Sequence, residues 1–349
     1  MTGKGHYYPI RNKNIIFKIY NFQNIIWLRI MIKYLNLIKL LMSYGLSIIT
    51  KRPLIWGMPA AINIEISSRC NLSCPECFKG AGRLNRDEGL MNIQMFEKII
   101  SELKSYLFNI NLYFQGEPML HPEFFSFVTI AEGIGITLST NGHFFSDENI
   151  GKLISSGIRK VIVPVDGMDQ YTYEKYRRGG NLNVVLEGIR MLSQAKAKNK
   201  SSLKIEIQCL VNRYNQQQIS DFKEFARKTG SKLKLKSMQV ITGNFDEWLP
   251  ECNKYRRYIK KNNKYRLKGK LKSRCLRLWL NPVITWDGNV LPCCFDKTAY
   301  YSFGNIAGAS FREVWEGERN RTFRNKFLIE RQKIEICKNC TTGLKGIAV

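Results

Sequence analysis

Three cysteines, Cys70, Cys74 and Cys77, stand within eight residues, and five more, Cys275, Cys293, Cys294, Cys337 and Cys340, gather toward the C-terminus. Eight of the ten cysteines thus fall into two groups, each containing a Cys-x2-Cys pair, which is the pattern of metal ligation in a reducing cytoplasm rather than of a disulfide framework. Thiolates are soft ligands that suit iron–sulfur clusters and zinc alike. Structural zinc is closed by four ligands, usually from two paired units. Three thiolates in one loop wrap three corners of a cubane and leave a metal corner open, where a substrate or cofactor can bind. The C-terminal group has enough sulfur to close a site, as an iron–sulfur cluster or as a four-cysteine zinc site. Cys209 and Cys252 stand apart and read as small buried hydrophobes.

Something must hold these loops in place. From Ala61 to Val240, short apolar runs alternate with helical periods. Strands are expected at 61–66, 109–114, 135–139, 160–164, 204–210 and 233–240, with helices near 92–107, 122–133, 147–157, 181–197 and 215–229. Such alternation predicts an α/β fold: parallel strands with right-handed crossovers in a full or partial (β/α)6 barrel, followed by a small cysteine-rich domain. Chemistry in such barrels gathers in the loops after the strands. The cysteine trio follows the first strand, Gln115-Gly116-Glu117-Pro118 the second, Ser139-Thr140-Asn141-Gly142 the third and Val165-Asp166-Gly167 the fourth.

In that order, the motifs resemble the radical S-adenosylmethionine (SAM) superfamily, whose C-x3-C-x2-C loop holds a [4Fe–4S] cluster with an open iron. The resemblance covers about residues 60–342. It implies that the open iron chelates SAM, that one electron splits SAM to a 5′-deoxyadenosyl radical, and that the radical takes a hydrogen atom from a substrate. It further implies roles for single residues. Glu117 would accept the SAM ammonium and Gly116 would allow close backbone approach. Ser139, Thr140 and Asn141 would lie near the ribose, with Asp166 in the fourth loop. Arg177 would meet the SAM carboxylate, with Arg178 as the alternative. Three positions depart from the pattern: Gln115 replaces a glycine, Pro164 a serine, and Glu76 the frequent aromatic, next to which Phe78 is the candidate adenine neighbour.

The C-terminal segment resembles the SPASM domain in its short "twitch" form: Trp286-Asp287-Gly288-Asn289-Val290-Leu291-Pro292-Cys293-Cys294, then Gly304-Asn305-Ile306 and Val314-Trp315. The resemblance implies one auxiliary [4Fe–4S] cluster on Cys275, Cys293, Cys337 and Cys340, with Cys294 as neighbour or substitute. A twitch-domain dehydrogenase of an amino-cyclitol alcohol has similar spacing, which suggests dehydrogenation of a sugar- or cyclitol-like alcohol with the auxiliary cluster as electron acceptor. The alternatives are a peptide-modifying maturase and a non-catalytic metal-binding module. A flavodoxin- or ferredoxin-type electron donor is implied as partner.

Charge adds a constraint on partners. Fifty-five basic against 28 acidic residues give +27 over 349 residues, a field that favours phosphate-bearing substrates, acidic peptides or a membrane face. Biased residue usage, rich in Lys, Asn and Ile, is the competing explanation; nucleic acid is not the expected partner. Residues 1–58 contain no acid, and Asn14, Lys18, Asn21, Arg29, Lys33 and Asn36 recur at helical spacing. This predicts a basic amphipathic helix lying either on an anionic membrane or against the main domain or a partner subunit. No secretory signal and no membrane span are expected, so the chain is assigned to the cytoplasm, with the inner membrane face as a seat for the helix. The expected organisation is a helical extension at 1–58, the barrel at 59–250, a basic solvated connector at 251–274, the auxiliary-cluster domain at 275–342 and a tail at 343–349.

Overall fold

The computed structural model describes residues 13–269 and 271–341. The side chains of Asn14, Lys18 and Asn21 and the tail 343–349 lie outside the described residues. A long helix, α1 (Lys13–Thr50), precedes the alternating core. The core runs β1 (Ala61–Ile64), α2 (Ile93–Leu103), β2 (Asn109–Leu112), α3 (Phe124–Ile130), β3 (Gly135–Ser139), α4 (Asp147–Ser155) and β4 (Lys160–Pro164). It continues through α5 (Gln170–Tyr176), α6 (Leu182–Lys198), β5 (Lys204–Val211), α7 (Ile219–Lys228) and β6 (Lys232–Ser237). Strands β1 to β6 pair in sequence order, every neighbour parallel, as expected when each connection carries a helix. The α/β partial barrel is therefore present. It stays open at β6.

Strand β5 shows how the two faces are made. Ile205, Ile207, Cys209 and Val211 are buried in the main core with Phe222 of α7 and Ile189 of α6. The alternate residues, Glu206 and Gln208, turn to the other face, as the period of two requires. That inner face is polar. Asn111 donates to Asn63 at 2.9 Å, Asn109 to Asn111 at 2.9 Å, and Gln208 to Glu206 at 2.6 Å. Lys160 of β4 lies 3.5 Å from Glu206. Buried polar groups that satisfy one another specify the interior at little cost in desolvation.

The rest of the chain closes around β1. A short helix α8 (Phe245–Trp248) leads to β7 (Tyr258–Lys261) and β8 (Lys264–Leu267), then to α9 (Arg277–Leu280), β9 (Val283–Ile284), β10 (Asn289–Leu291), β11 (Gly304–Asn305), α10 (Phe311–Glu316), α11 (Glu318–Glu330) and α12 (Glu335–Lys338). The basic segment 251–274 is thus not a bare solvated connector: β7 and β8 form an antiparallel hairpin whose turn residues, Asn262 and Asn263, both have positive φ. Strand β9 pairs parallel with β1, matching Asn63 to Val283 and Ile64 to Ile284, and β10 and β11 extend the sheet to nine strands.

Helix α1 departs from expectation in two ways. Asn36, read as part of the outer polar stripe, is buried: its amide donates to Met58 O and accepts from Met58 N, both at 2.8 Å. Ser43, Ser47 and Leu40 are buried beside it, and Tyr44 meets Trp279 edge-on at 5.2 Å. The outward face carries Trp27, Met31, Ile38, Met42 and Ile49, each more than half exposed. In addition, Trp27–Thr50 is long and apolar enough to cross a membrane, contrary to the expectation of no such segment. Its cations are spaced widely enough to leave an apolar window between them.

Candidate active site

The loop between β1 and α2 presents Cys70, Cys74 and Cys77 to one small cavity of about 160 Å³, whose wall also holds Gly116, Glu117, Ser139, Thr140, Asn141, Pro164 and Arg177. The loops after β1, β2, β3 and β4 therefore meet at one point. Gly80 explains part of the loop's shape: a Cβ there would lie 2.4 Å from the backbone N and O of Cys74. Gly116 has φ +74, and a Cβ on it would come 2.5 Å from Ser67 O. The positive φ belongs to Gly116, so Gln115 occupies the family's first glycine position without strain. Its side chain accepts from the Cys77 thiol at 3.9 Å.

Glu117 is buried, and its carboxylate accepts from Met119 N at 3.0 Å and Asn141 N at 2.7 Å. Burial pushes its carboxyl up to about 7, against the pull of those N–H groups. The Thr140 hydroxyl also donates to this carboxylate, which with two oxygens still has acceptor capacity for a further donor. Asn141 also donates to Asn71 at 2.7 Å, which ties the third loop to the cysteine loop.

Arg177 and Arg178 separate cleanly. Arg178 is exposed, and its carbonyl accepts from Ser73 N at 3.0 Å. Arg177 lines the small cavity, with Nη1 3.8 Å from Cys74 Sγ. Its Nε donates to Asp166 at 2.6 Å. Asp166 is fully buried behind it and also accepts from Leu210 N at 2.7 Å. Asp166 thus acts through Arg177 rather than from the cavity wall. Glu76, at the stacking position, ties the cysteine loop to the loop after β6 by accepting from Ile241 N at 2.5 Å, Thr242 N at 3.0 Å and the Thr242 hydroxyl. Phe78 lines a second, larger cavity instead.

Among the described residues, no three His, Cys, Asp or Glu side chains converge tightly enough to hold a single ion. Cys70, Cys74 and Cys77 share one cavity wall that, among the described residues, carries no fourth cysteine or histidine, which fits a cubane with an open corner better than zinc. At the other site, Cys275, Cys293, Cys294, Cys337 and Cys340 are at least half-buried in the C-terminal segment, and Cys293 lies within electrostatic reach of Cys294, Cys275 and Cys340. Burial raises Cys275 and Cys293 above the usual thiol range and pushes Cys337 up to about 12, so metal loading must displace protons. Cys294 points elsewhere, accepting from Arg277 Nη1 at 2.7 Å on the wall of the larger cavity.

Sequence reasoning missed Glu65 and Arg86. Arg86 grips both oxygens of the buried Glu65 at 2.5 and 2.8 Å, and its Nε donates to Lys297 O at 3.3 Å. One side chain thereby joins the end of β1, the cysteine loop and the auxiliary segment. Cys252, read as a buried hydrophobe, is exposed.

An open parallel barrel with a three-thiolate pocket at its strand ends, joined to a segment with five further cysteines, has the architecture of an iron–sulfur enzyme of the SAM-cleaving kind. Comparison with known proteins agrees. Residues 64–226 match the Radical SAM superfamily and residues 275–341 the SPASM iron–sulfur cluster-binding domain, so the chain belongs to the radical SAM enzymes that carry a SPASM domain. Its cofactors are SAM, the SAM-binding [4Fe–4S] cluster and an auxiliary [4Fe–4S] cluster. The non-catalytic alternative is excluded.

It is 27% identical over 315 residues to the tungsten-containing aldehyde ferredoxin oxidoreductase cofactor-modifying protein of Pyrococcus furiosus, covering 80% of this chain and 86% of that one. It is 28% identical to the mycofactocin maturase MftC of Mycobacterium ulcerans over 193 residues, 54% of this chain and 50% of the relative. The fold is shared with SuiB of Streptococcus suis bound to S-adenosylmethionine (TM-score 0.61, 14% identity, 82% and 73% of the two chains) and with BtrN bound to AdoMet and 2-DOIA (TM-score 0.52, 20% identity, 81% and 93%).

Proposed function

We propose that this enzyme removes hydrogen from a carbon of a small polar alcohol, sugar- or cyclitol-like, and that its auxiliary site takes up the second electron. One observation carries the reading: the larger cavity, about 360 Å³, is lined both by Cys77 and Gln115 and by Cys294 and Arg277. A substrate in it would lie between the two cysteine groups. That volume suits a small molecule. When bound, SAM and the clusters supply a hydrogen-atom acceptor on one side of this space and an electron acceptor on the other. Arg177, held by Asp166, and Glu117, held by the Met119 and Asn141 amides, are the groups that would orient the SAM carboxylate and ammonium. Phe78 and Tyr176 also line this cavity and would help to keep water from a bound substrate. Loss of one hydrogen atom, one proton and one electron converts an alcohol to a ketone.

Peptide maturation is the second reading, favoured by the likeness to MftC. Anaerobically reconstituted protein supplied with reductant and SAM is expected to yield 5′-deoxyadenosine, raised by sugar or cyclitol alcohols and unchanged by peptides. Stimulation by peptides alone would reverse the order of the two readings. A flavodoxin- or ferredoxin-type donor fits a chain of net charge +27.

The outward apolar face of α1, together with the lack of any acid before residue 59, supports a seat at an anionic inner membrane face. Co-sedimentation should occur with vesicles containing anionic lipid and fall when Trp27, Met31 and Ile38 are changed to Gln. Equal sedimentation of the variant would remove the membrane from the account.

A further inference from the structure

Five cations and one carboxylate line the cavity between the two cysteine groups: Arg177, Lys236, Arg257, Arg277 and Lys297 against Glu76. The carboxylate is already used, since Glu76 accepts from the Ile241 and Thr242 backbone and from the Thr242 hydroxyl. Two of the cations also have work elsewhere. Arg177 is paired with Asp166, and Arg277 donates to the Cys294 sulfur.

Lys236, Arg257 and Lys297 remain. Among the described residues none of the three forms an ion pair. The Lys236 ammonium reaches only the Gln208 side-chain oxygen, at 3.4 Å. It stands at the C-terminal end of β6, where the K-L-K-L-K alternation turns all three lysines to the polar inner face. Burial, and then the charge of Lys234, lower its affinity for a proton. Lys297 lies over the Phe114 ring at 4.7 Å. Arg257 donates one Nη2 bond to Asn339 O, while its Nε is buried with no partner. Cations drawn out of water without counter-charge are costly unless a ligand supplies the anion.

We propose that the substrate carries a phosphate or diphosphate, held by Lys236, Arg257 and Lys297, with its ring against Phe114 and Phe295. This rests on the reading of the cavity as the substrate site and narrows the substrate to a phosphorylated sugar or cyclitol. A phosphoryl group brings a charge of about −1.5 to −2 and three acceptor oxygens, enough to satisfy three donors converging from β6, the β7 approach and the auxiliary segment.

Inorganic pyrophosphate titrated calorimetrically into the reconstituted holoenzyme should bind saturably. Lys236→Gln with Lys297→Gln should weaken it about tenfold or more, since each charge-assisted bond lost counts for that order. Lys198→Gln with Lys223→Gln, two exposed positions, is the control for the general positive field and should change the affinity less than about twofold. Absence of saturable binding to the wild-type holoenzyme, or equal weakening in the control pair, would overturn the proposal. So would an acidic peptide that binds while pyrophosphate does not. Failure of the broader reading shows up separately: a holoenzyme that binds pyrophosphate yet never forms 5′-deoxyadenosine sinks the radical chemistry and leaves the anion site standing, and normal SAM cleavage without pyrophosphate binding does the reverse.

Discussion

Changing Cys70, Cys74 and Cys77 together to Ala is expected to remove about four of the roughly eight irons carried by two cubanes, and all SAM cleavage with them. Iron and sulfide assays on reconstituted protein, together with chromatographic detection of 5′-deoxyadenosine, make the measurement. The expectation follows from one cavity wall that bears all three sulfurs and, among the described residues, no fourth cysteine or histidine. The loop has other anchors that the substitution leaves alone: Glu76 on the Ile241 and Thr242 amides, Ser73 N on Arg178 O, and Gly80 against Cys74. The remaining iron therefore reports on the auxiliary site rather than on a collapsed protein. Residual cleavage in the triple variant would mean that the cluster is held elsewhere.

The second large effect concerns Asp166 and Arg177. Both are deeply placed, with the Asp166 side chain wholly inaccessible and that of Arg177 only 13% exposed. Removing one partner from such a pair leaves an uncompensated charge and costs about 3–5 kcal/mol, whereas removing both charges together is often near neutral. Asp166→Ala should therefore lower unfolding free energy by about 3–5 kcal/mol in denaturant titrations and weaken SAM binding as Arg177 loses its anchor. Asp166→Asn combined with Arg177→Gln should recover most of the stability but none of the SAM affinity. If the double variant bound SAM normally, Arg177 would be a structural arginine and the carboxylate contact would lie elsewhere.

The barrel and its turn motifs were legible in the sequence because each motif stands directly behind an apolar run, and a parallel sheet needs both faces of such runs covered. The thiol trio, Glu117, Asn141 and Arg177 could be read for the same reason, as one loop after another arriving at the strand ends. Other features left weaker traces. Helix α5 has only seven residues, too few to display a period. The β7–β8 hairpin hides in a run of lysines, although Asn262-Asn263 between alternating Tyr and Leu positions was a usable turn signal. Strands β9 and β11 are two residues long and exist only through their partners. In α1 the pattern misled outright. A buried asparagine serving a backbone segment at Met58 and a charged residue facing water look identical in a polarity plot. Lys236 and Lys297 could not be told from the many other lysines until the fold set them beside one cavity.

The pairing of β9 with β1 has a consequence for how the molecule could be rebuilt. The cluster-bearing tail is not a bead on a string: ending the chain ahead of Val283 would strip the founding strand of its neighbour and leave an unprotected edge inviting aggregation. Grafting a tail from a relative would therefore succeed or fail on matching Asn63 to Val283 and Ile64 to Ile284, a question of strand register before it is one of metal chemistry.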